Sequence, residues 1–224
     1  MSSTDYPLQD EIWCELIADP QQLARRPALF LDRDGVIVEE VDYLHRVDDV
    51  ALVPGAAEII RAANAAHVPV IIVTNQGGIG RGYFDWAAFH DVQTHMRDML
   101  RRQGAEVDAI FACPFHEKGI GAYLHDRHPD RKPQPGMLMR AGAALSIDLR
   151  GSWIIGDKLS DLEAGHAAGL AGGVLVRTGH GPSQDEQALR TRTPDFDVRV
   201  SDSIADTQWL IMRLAQLVAK QLHH

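Results

Sequence analysis

The chain has 224 residues, of which 45% are hydrophobic and 24% are charged, so it can bury a sizeable core in one large domain or two small ones. Its net charge of −9 argues against nucleic acid as a partner, and no apolar run approaches the ~20 residues of a membrane span. The acidic N-terminus lacks the pattern of a signal peptide, and the two cysteines form no disulfide framework, so we expect a cytoplasmic protein.

Alternating strand and helix patterns run through most of the chain. Residues 1–26 are predicted to be an N-terminal helical extension, followed by one domain over residues 27–224. Near-continuous apolar runs predict five strands buried on both faces, at 28–32, 68–74, 109–113, 152–157 and 172–176. Helical spacing predicts helices at 54–67, 85–104, 136–146, 159–169 and roughly 206–221, with 179–195 as an irregular connection. This order favours an α/β fold with a doubly wound parallel sheet in three layers.

Polar residues follow the predicted strands where each strand ends. The first predicted strand ends in Asp32-Arg33-Asp34-Gly35, the second in Thr74 to Gly77, and the fourth in Gly156-Asp157-Lys158. Open α/β sheets bind their ligands at this edge. Each motif alone is a weak signal, because a turn with solvated acids or an ordinary helix start can have the same sequence pattern. Their joint order on successive strand ends favours a site.

These residue types suit phosphoryl transfer. Asp32 and Asp157 can hold one Mg²⁺ between them, with a backbone carbonyl near Asp34. A carboxylate can attack phosphorus, and Asp34 is placed to exchange a proton with the leaving group and with water. Thr74 and Lys132 can bind the phosphoryl oxygens.

The arrangement resembles the haloacid dehalogenase-like phosphatases, whose four motifs match DRDG, Thr74, Lys132 and GDKLSD over residues 28 to about 181. The resemblance implies a Rossmann-like sheet with strand order 5-4-1-2-3. It also implies Asp32 as nucleophile, Asp34 as general acid and base, and Mg²⁺ on Asp32, Asp34 and Asp157.

Longer strings, such as YLHRVDDVALVPG and VIIVTNQGGIGRGYF, resemble the heptose bisphosphate phosphatase subfamily, with histidinol-phosphate phosphatases as close relatives. Three hypotheses stay open: a heptose-type sugar phosphatase, a histidinol-phosphate or broad-range phosphatase, and a non-catalytic phospho-ligand binding protein. A small phosphorylated sugar is the expected partner, and a monomer is favoured. The resemblance implies substrate contacts from Glu40, Val41, Asp42, Tyr43, Thr74, Asn75, Gln76, Gly77, Arg131, Lys132 and Lys158.

The chain departs from this family at a loop that often carries zinc. Its ligand positions fall here on Cys113, Phe115, His128 and Asp130, with His116 one residue along. Phe cannot bind metal, so we expect no structural zinc, although a Cys113, His116, His128 and Asp130 site is chemically possible. Phe115 would then pack in the loop, and Asp130 would pair with Arg127 or Arg131. The segments 33–73 and 114–130 are too short for a cap domain, so the site should be open.

Overall fold

An eight-stranded sheet lies at the centre of the fold. The computed structural model describes residues 6–179 and 184–222. The strands are β1 (Leu8–Gln9), β2 (Ile12–Leu16), β3 (Leu29–Leu31), β4 (Val70–Asn75), β5 (Ala109–Cys113), β6 (Trp153–Gly156), β7 (Gly172–Val176) and β8 (Asp197–Ser201), and their order across the sheet is β1-β2-β5-β4-β3-β6-β7-β8.

The six central and C-terminal strands are parallel, from β5 through β8. Phe30 of β3 lies opposite Ile71 of β4 and Ile154 of β6, so β3 is the central strand of the five predicted from the sequence. Their observed order, read from β7 to β5, is the predicted 5-4-1-2-3, and the doubly wound fold class is confirmed.

Helices cover both faces of the sheet. They are α1 (Pro20–Leu23), α2 (Ala56–Ala65), α3 (Gly77–Gly80), α4 (Trp86–Arg102), α5 (Gly136–Leu145), α6 (Leu159–Ala167), α7 (Asp185–Arg190) and α8 (Gln208–Leu222). The core on one face packs α2, α4 and α8, and the core on the other packs α1, α5, α6 and α7. Alternate residues of one strand divide between them: Leu29 and Leu31 join the first core, and Phe30 joins the second. None of the described helices is long and apolar enough to cross a membrane.

The N-terminus differs from its prediction. Residues 1–26 are predicted to be helical, but within residues 6–26, which the structure describes, there is a hairpin of β1 and β2, and α1 is the only helix. β2 pairs antiparallel with β5, with Trp13 opposite Ala112, so the hairpin widens the sheet by two strands. The apolar face of this short segment is buried against the sheet, where edge pairing satisfies its backbone groups.

The C-terminal part also contains elements that the sequence did not predict. β8 pairs with β7 at the far edge of the sheet, and α7 lies within the predicted irregular connection 179–195. Residues 180–183 of that connection lie outside the described residues. Neither segment that is predicted to be too short for a cap contains a further domain. Residues 33–73 hold a 3-10 turn, α2 and the start of β4, and residues 114–130 form an irregular loop with one 3-10 turn.

Candidate active site

The site lies at the carboxyl ends of the three central parallel strands. Asp32 directly follows β3, Thr74 and Asn75 end β4, and Asp157 directly follows β6. Because β3 lies between β4 and β6, the register brings these side chains to one point on the sheet edge. Chain connections leave in opposite directions on the two sides of β3, which is the position where open α/β sheets form a crevice.

Three buried carboxylates meet there. Oxygens of Asp32, Asp157 and Asp161 all lie within 4.8 Å of one another, and within residues 6–179 and 184–222 no other group of three acidic, His or Cys side chains is placed to hold a metal ion. Asp157 is held close against the backbone of two turns. A Cβ atom on Gly35 would lie 2.7 Å from its Oδ2, and one on Gly179 would lie 2.4 Å from it. Both glycines have positive φ, so their residue type is required for space and for conformation.

Lys132 supplies a buried positive charge to this cluster. Its Nζ lies 3.0 Å from Asp32 Oδ1 and 2.6 Å from Asp161 Oδ1, and it donates a hydrogen bond to the Val73 carbonyl at 2.7 Å. Burial by itself lowers the pKa of Lys132, but the adjacent Asp161 and Asp32 carboxylates outweigh it and raise that pKa. Lys132 therefore stays charged, and its ammonium bridges the Asp32 and Asp161 carboxylates.

Asp161 is a site residue that the sequence analysis did not select. It stands in the first turn of α6, and its Oδ2 accepts a hydrogen bond from the Lys158 N–H at 3.0 Å. Burial raises the pKa of Asp161, and the neighbouring Lys132 ammonium opposes that rise. The available signal was the position of Asp161 four residues after Asp157, but an acid in the first turn of a helix is common for helix-dipole reasons alone.

Asp34 is held away from the acid cluster. Both of its carboxylate oxygens accept hydrogen bonds from Nε and Nη2 of Arg33, at 2.8–3.2 Å, and Oδ2 also accepts from Gln76 Nε2 at 3.1 Å. Arg33 is 1% exposed, and its guanidinium stacks over the Phe89 ring. Gln76 also donates to the Thr74 hydroxyl. The structure therefore groups Asp32 and Asp157 with Asp161, where the family resemblance implied Asp34 as the third carboxylate.

A cavity of about 540 Å³ opens above these residues. It brings together ten of the eleven predicted substrate contacts, since Thr74 lies buried beneath it. Those ten are Glu40, Val41, Asp42, Tyr43, Asn75, Gln76, Gly77, Arg131, Lys132 and Lys158.

Basic side chains line the cavity, with Arg131 beside Gly77 and Lys158 beside Glu40. Burial lowers the pKa of Arg131, whose Nη1 donates to the Phe115 carbonyl at 3.0 Å. A Cβ atom on Gly77 would lie 2.8 Å from the His116 ring, so the glycine lets α3 approach this side closely. Lys158 Nζ lies 3.7 Å from Glu40 Oε2. Burial lowers the pKa of Lys158, and the Asp157 and Asp32 charges reverse that effect and raise it.

The rim of the cavity carries an aromatic cluster. The Arg81 guanidinium lies 5.4 Å from the centre of the Tyr43 ring and 4.6 Å from that of Tyr83, and it donates to the Tyr43 hydroxyl. The two tyrosine rings meet edge to face. These contacts hold Tyr43, which has a positive φ of 56°, in a fixed orientation over the cavity.

Side chains at the family's zinc positions make other contacts. The Phe115 ring stacks on the His128 ring at 3.7 Å, and His116 Nδ1 accepts from the Lys118 N–H. Burial raises the pKa of the Cys113 thiol to about 12. Asp130 pairs with Arg140, Nε to Oδ1 at 2.8 Å, which corrects the predicted pairing with Arg127 or Arg131. The cause is the position of α5, which brings Arg140 back beside the loop.

Comparison with known proteins adds an independent line of evidence. Residues 130–207 match a family model described as HAD-hydrolase-like. The D-glycero-beta-D-manno-heptose-1,7-bisphosphate 7-phosphatase of Mesorhizobium japonicum is 46% identical over 176 residues, which cover 78% of this chain and 81% of that protein.

Two solved structures share the fold. A HAD-like phosphatase from Mesorhizobium loti has a TM-score of 0.84 at 40% identity, covering 95% of this chain and 98% of that one. The D,D-heptose 1,7-bisphosphate phosphatase of B. bronchiseptica, crystallised with magnesium and phosphate, has a TM-score of 0.70 at 31% identity, covering 87% and 99%. This chain therefore belongs to the haloacid dehalogenase-like hydrolases, and it is a phosphatase.

Proposed function

We propose that this phosphatase removes the 7-phosphate of D-glycero-D-manno-heptose 1,7-bisphosphate through an aspartyl-phosphate on Asp32. One observation carries the proposal: two consecutive cations, Arg131 and Lys132, line a single cavity, and Lys132 contacts the buried carboxylate of Asp32. A sugar with a phosphate at each end needs a reaction site and a separate cationic contact. The names of the relatives point to the same substrate class.

Asp32 has the surroundings of an attacking carboxylate. Its Oδ1 accepts from the Arg33 N–H at 2.7 Å and lies 3.0 Å from Lys132 Nζ, so the carboxylate is fixed in orientation. In the first step an Asp32 oxygen bonds to phosphorus while the bond from phosphorus to the sugar oxygen breaks. In the second step water cleaves the acyl phosphate, which regenerates Asp32 and releases phosphate.

Asp34 is proposed to move the protons. It would donate one to the departing sugar oxygen and later take one from the attacking water. Hydrogen bonds from Arg33 and Gln76 fix the orientation of the Asp34 carboxylate. Thr74 and Lys132 are proposed to bind the phosphoryl oxygens, where negative charge collects in the transition state.

The buried acids fit Mg²⁺. Asp32 and Asp157 offer hard oxygen donors in one cluster, whose mutual repulsion a divalent cation would relieve. These two carboxylates would hold the ion together with the main-chain carbonyl near Asp34. Asp161 is already bonded to Lys132 and to the Lys158 N–H, so we assign it to positioning Lys132. When bound, Mg²⁺ would neutralise phosphate charge during transfer.

Arg131 and the Gly77 turn are proposed to hold the second phosphate. Arg131 has a planar guanidinium suited to a phosphate, and the close packing of Gly77 against His116 shapes the adjacent wall. Glu40 to Tyr43 and Lys158 would contact the sugar from the opposite side of the opening.

The test compares specificity constants for the heptose bisphosphate and for histidinol phosphate. We expect a preference of at least about a hundredfold for the bisphosphate, because only it uses both ends of the cavity. Asp32→Asn is the control for contaminating activity, and it should lose several orders of magnitude in rate with its circular dichroism unchanged. Equal specificity constants would contradict the substrate, and turnover above about a tenth of wild type in Asp32→Asn would contradict the nucleophile.

A further inference from the structure

The tip of the N-terminal hairpin has an unusual backbone. Asp10 and Glu11 connect β1 to β2, and their φ angles are 52° and 63°. Two-residue hairpin turns with positive φ at both positions favour Asn-Gly or Asp-Gly, since a longer side chain is disfavoured in this conformation. Here the second position is a glutamate. Both acids make side-chain contacts that reach beyond the hairpin.

The first contact passes through Arg140 of α5. Arg140 Nη2 lies 3.1 Å from Asp10 Oδ2, and Nε of the same guanidinium lies 2.8 Å from Asp130 Oδ1. Asp130 is 4% exposed and directly precedes Arg131 in the chain. Arg140 therefore connects the hairpin tip to the residue beside the proposed phosphate contact.

The second contact passes through Tyr123 in the 114–130 loop. The Tyr123 hydroxyl donates to Glu11 Oε2 at 3.0 Å and accepts from Trp86 Nε1 at 3.2 Å. Burial raises the pKa of Tyr123, so its hydroxyl keeps the proton that it donates. The Tyr123 ring packs edge to face on Phe115, 5.7 Å between centroids.

Both contacts lead to the guanidinium of Arg131. The Phe115 carbonyl accepts from Arg131 Nη1 at 3.0 Å, and the His116 N–H donates to the Tyr123 carbonyl at 3.1 Å. The loop segment that holds Arg131 is thus fixed to Tyr123 on one side, and the Asp130–Arg140 pair fixes Arg131 on the other. Glu11 and Asp10 stand at the outer ends of these two paths.

We propose that Asp10 and Glu11 are positioning residues, which hold the 114–130 loop so that Arg131 faces the second phosphate of a bisphosphate substrate. This inference rests on the proposed function for the identity of that substrate. Asp10 is 80% exposed, and an exposed ion pair contributes little to global stability. The expected effect is therefore on the geometry of the loop and on substrate binding, with folding left intact.

The test uses the double variant Asp10→Asn/Glu11→Gln in the full chain. Asn and Gln remove both charges at nearly unchanged size. Glu15→Gln is the matched control, because Glu15 lies on the same hairpin but pairs with Arg97 of α4, 2.5 Å away. For the heptose bisphosphate we expect KM to rise about fivefold or more with kcat within about twofold. KM for p-nitrophenyl phosphate, which has one phosphate, should stay within about twofold, and the control should match wild type for both substrates.

Hydrogen exchange gives a second measurement that does not depend on the substrate. Amide exchange in peptides spanning 114–131 should accelerate about fivefold or more in the double variant and be unchanged in Glu15→Gln. Tyr123→Phe should accelerate the same peptides, and its effect should be less than additive with that of Glu11→Ala, since both variants remove the hydrogen bond between Tyr123 and Glu11. Unchanged exchange in these peptides, or equal KM changes for both phosphate substrates, would overturn the positioning role. If wild type fails to turn over the heptose bisphosphate, the proposed function fails, while the exchange result still decides the role of the hairpin tip.

Discussion

Lys132→Met removes an ammonium group that contacts two buried carboxylates, those of Asp32 and Asp161. Lys132 Nζ lies 2.6 Å from Asp161 and 3.0 Å from Asp32, and all three side chains are at most 7% exposed. Met has a similar length and fills the space without charge. The variant therefore leaves buried acids without their compensating cation.

The size of the effect follows from this burial. Removing one partner of a buried ion pair costs about 3–5 kcal/mol, because the remaining charge stays desolvated. Burial already raises the pKa of Asp161, and loss of Lys132 raises it further. Protonation of Asp161 then limits the cost, so we expect a loss of about 3 kcal/mol at pH 7. Because the pKa of Asp161 is higher in the folded protein than in the unfolded chain, lowering the pH protonates Asp161 in the folded protein first and favours folding. The loss of unfolding free energy in Lys132→Met should therefore shrink as the pH falls toward 5.

Urea unfolding in EDTA measures this loss without a bound metal. The double variant Lys132→Met/Asp161→Asn should recover more than half of it, because the Asn carbonyl can still accept from the Lys158 N–H. Arg97→Met is the control, since the Arg97–Glu15 pair is more exposed and should cost about 1 kcal/mol or less. A loss under about 1 kcal/mol for Lys132→Met, or a double variant less stable than the single one, would refute this reasoning.

Three further predictions concern proton transfer, pH and metal. Asp34→Asn should slow the single-turnover burst far more with a sugar phosphate than with p-nitrophenyl phosphate, whose leaving group needs little protonation, and equal slowing would count against the assigned role. Burial raises the pKa of the Cys113 thiol, so the free energy of unfolding should fall as the pH rises above about 9, the pKa of the thiol in the unfolded chain. Urea melts of Cys113→Ala should show a loss that is smaller by about 2 kcal/mol at pH 10.5. Identical pH curves for the variant and wild type would contradict this prediction. Chelators should stop catalysis without unfolding the protein, and about one zinc per chain retained through dialysis would show that the loop binds metal.

The sequence predicted the central sheet because its strands have a strong local signal. In β4, Val70 to Val73 are all buried, as an apolar run of this kind indicates. The hairpin gave no such signal. The run at Ile12–Leu16 is short enough to suit a helix or a strand, and the turn at Asp10 and Glu11 lacks the glycine that usually marks a hairpin.

β8 and α3 also lack a strong local signal in the sequence. β8 alternates a buried Val198 with an exposed Arg199, and its five residues are stabilised by pairing with β7, which is distant in sequence. α3 consists of glycines and one isoleucine, so its intrinsic helix propensity is poor. Tertiary packing decides both elements, and propensity alone does not contain that information.

The candidate site likewise contains some residues that could be predicted from the sequence and some contacts that could not. Asp32, Thr74 and Asp157 could be predicted, because parallel strands must end at a common edge and bring these residues together. The bonds from Lys132 to Asp161 and from Asp130 to Arg140 could not be predicted. They join segments that are separated in sequence, and the orientation of a helix decides which partner is reached.

This division bears on how the enzyme chooses substrates. Asp32, Thr74 and Asp157 lie at the ends of β3, β4 and β6, where an insertion or deletion of one residue would shift the strand register and turn buried side chains to the other face. The part that would contact the second phosphate stands on an irregular loop, and side-chain bonds from α5 and the hairpin tip hold that loop. Substitutions at the tip can therefore alter the loop while the buried acids and Lys132 keep their contacts. We infer that phosphoryl transfer and substrate choice can change independently in this fold, with the first fixed by the central strands and the second by contacts at the edge of the sheet.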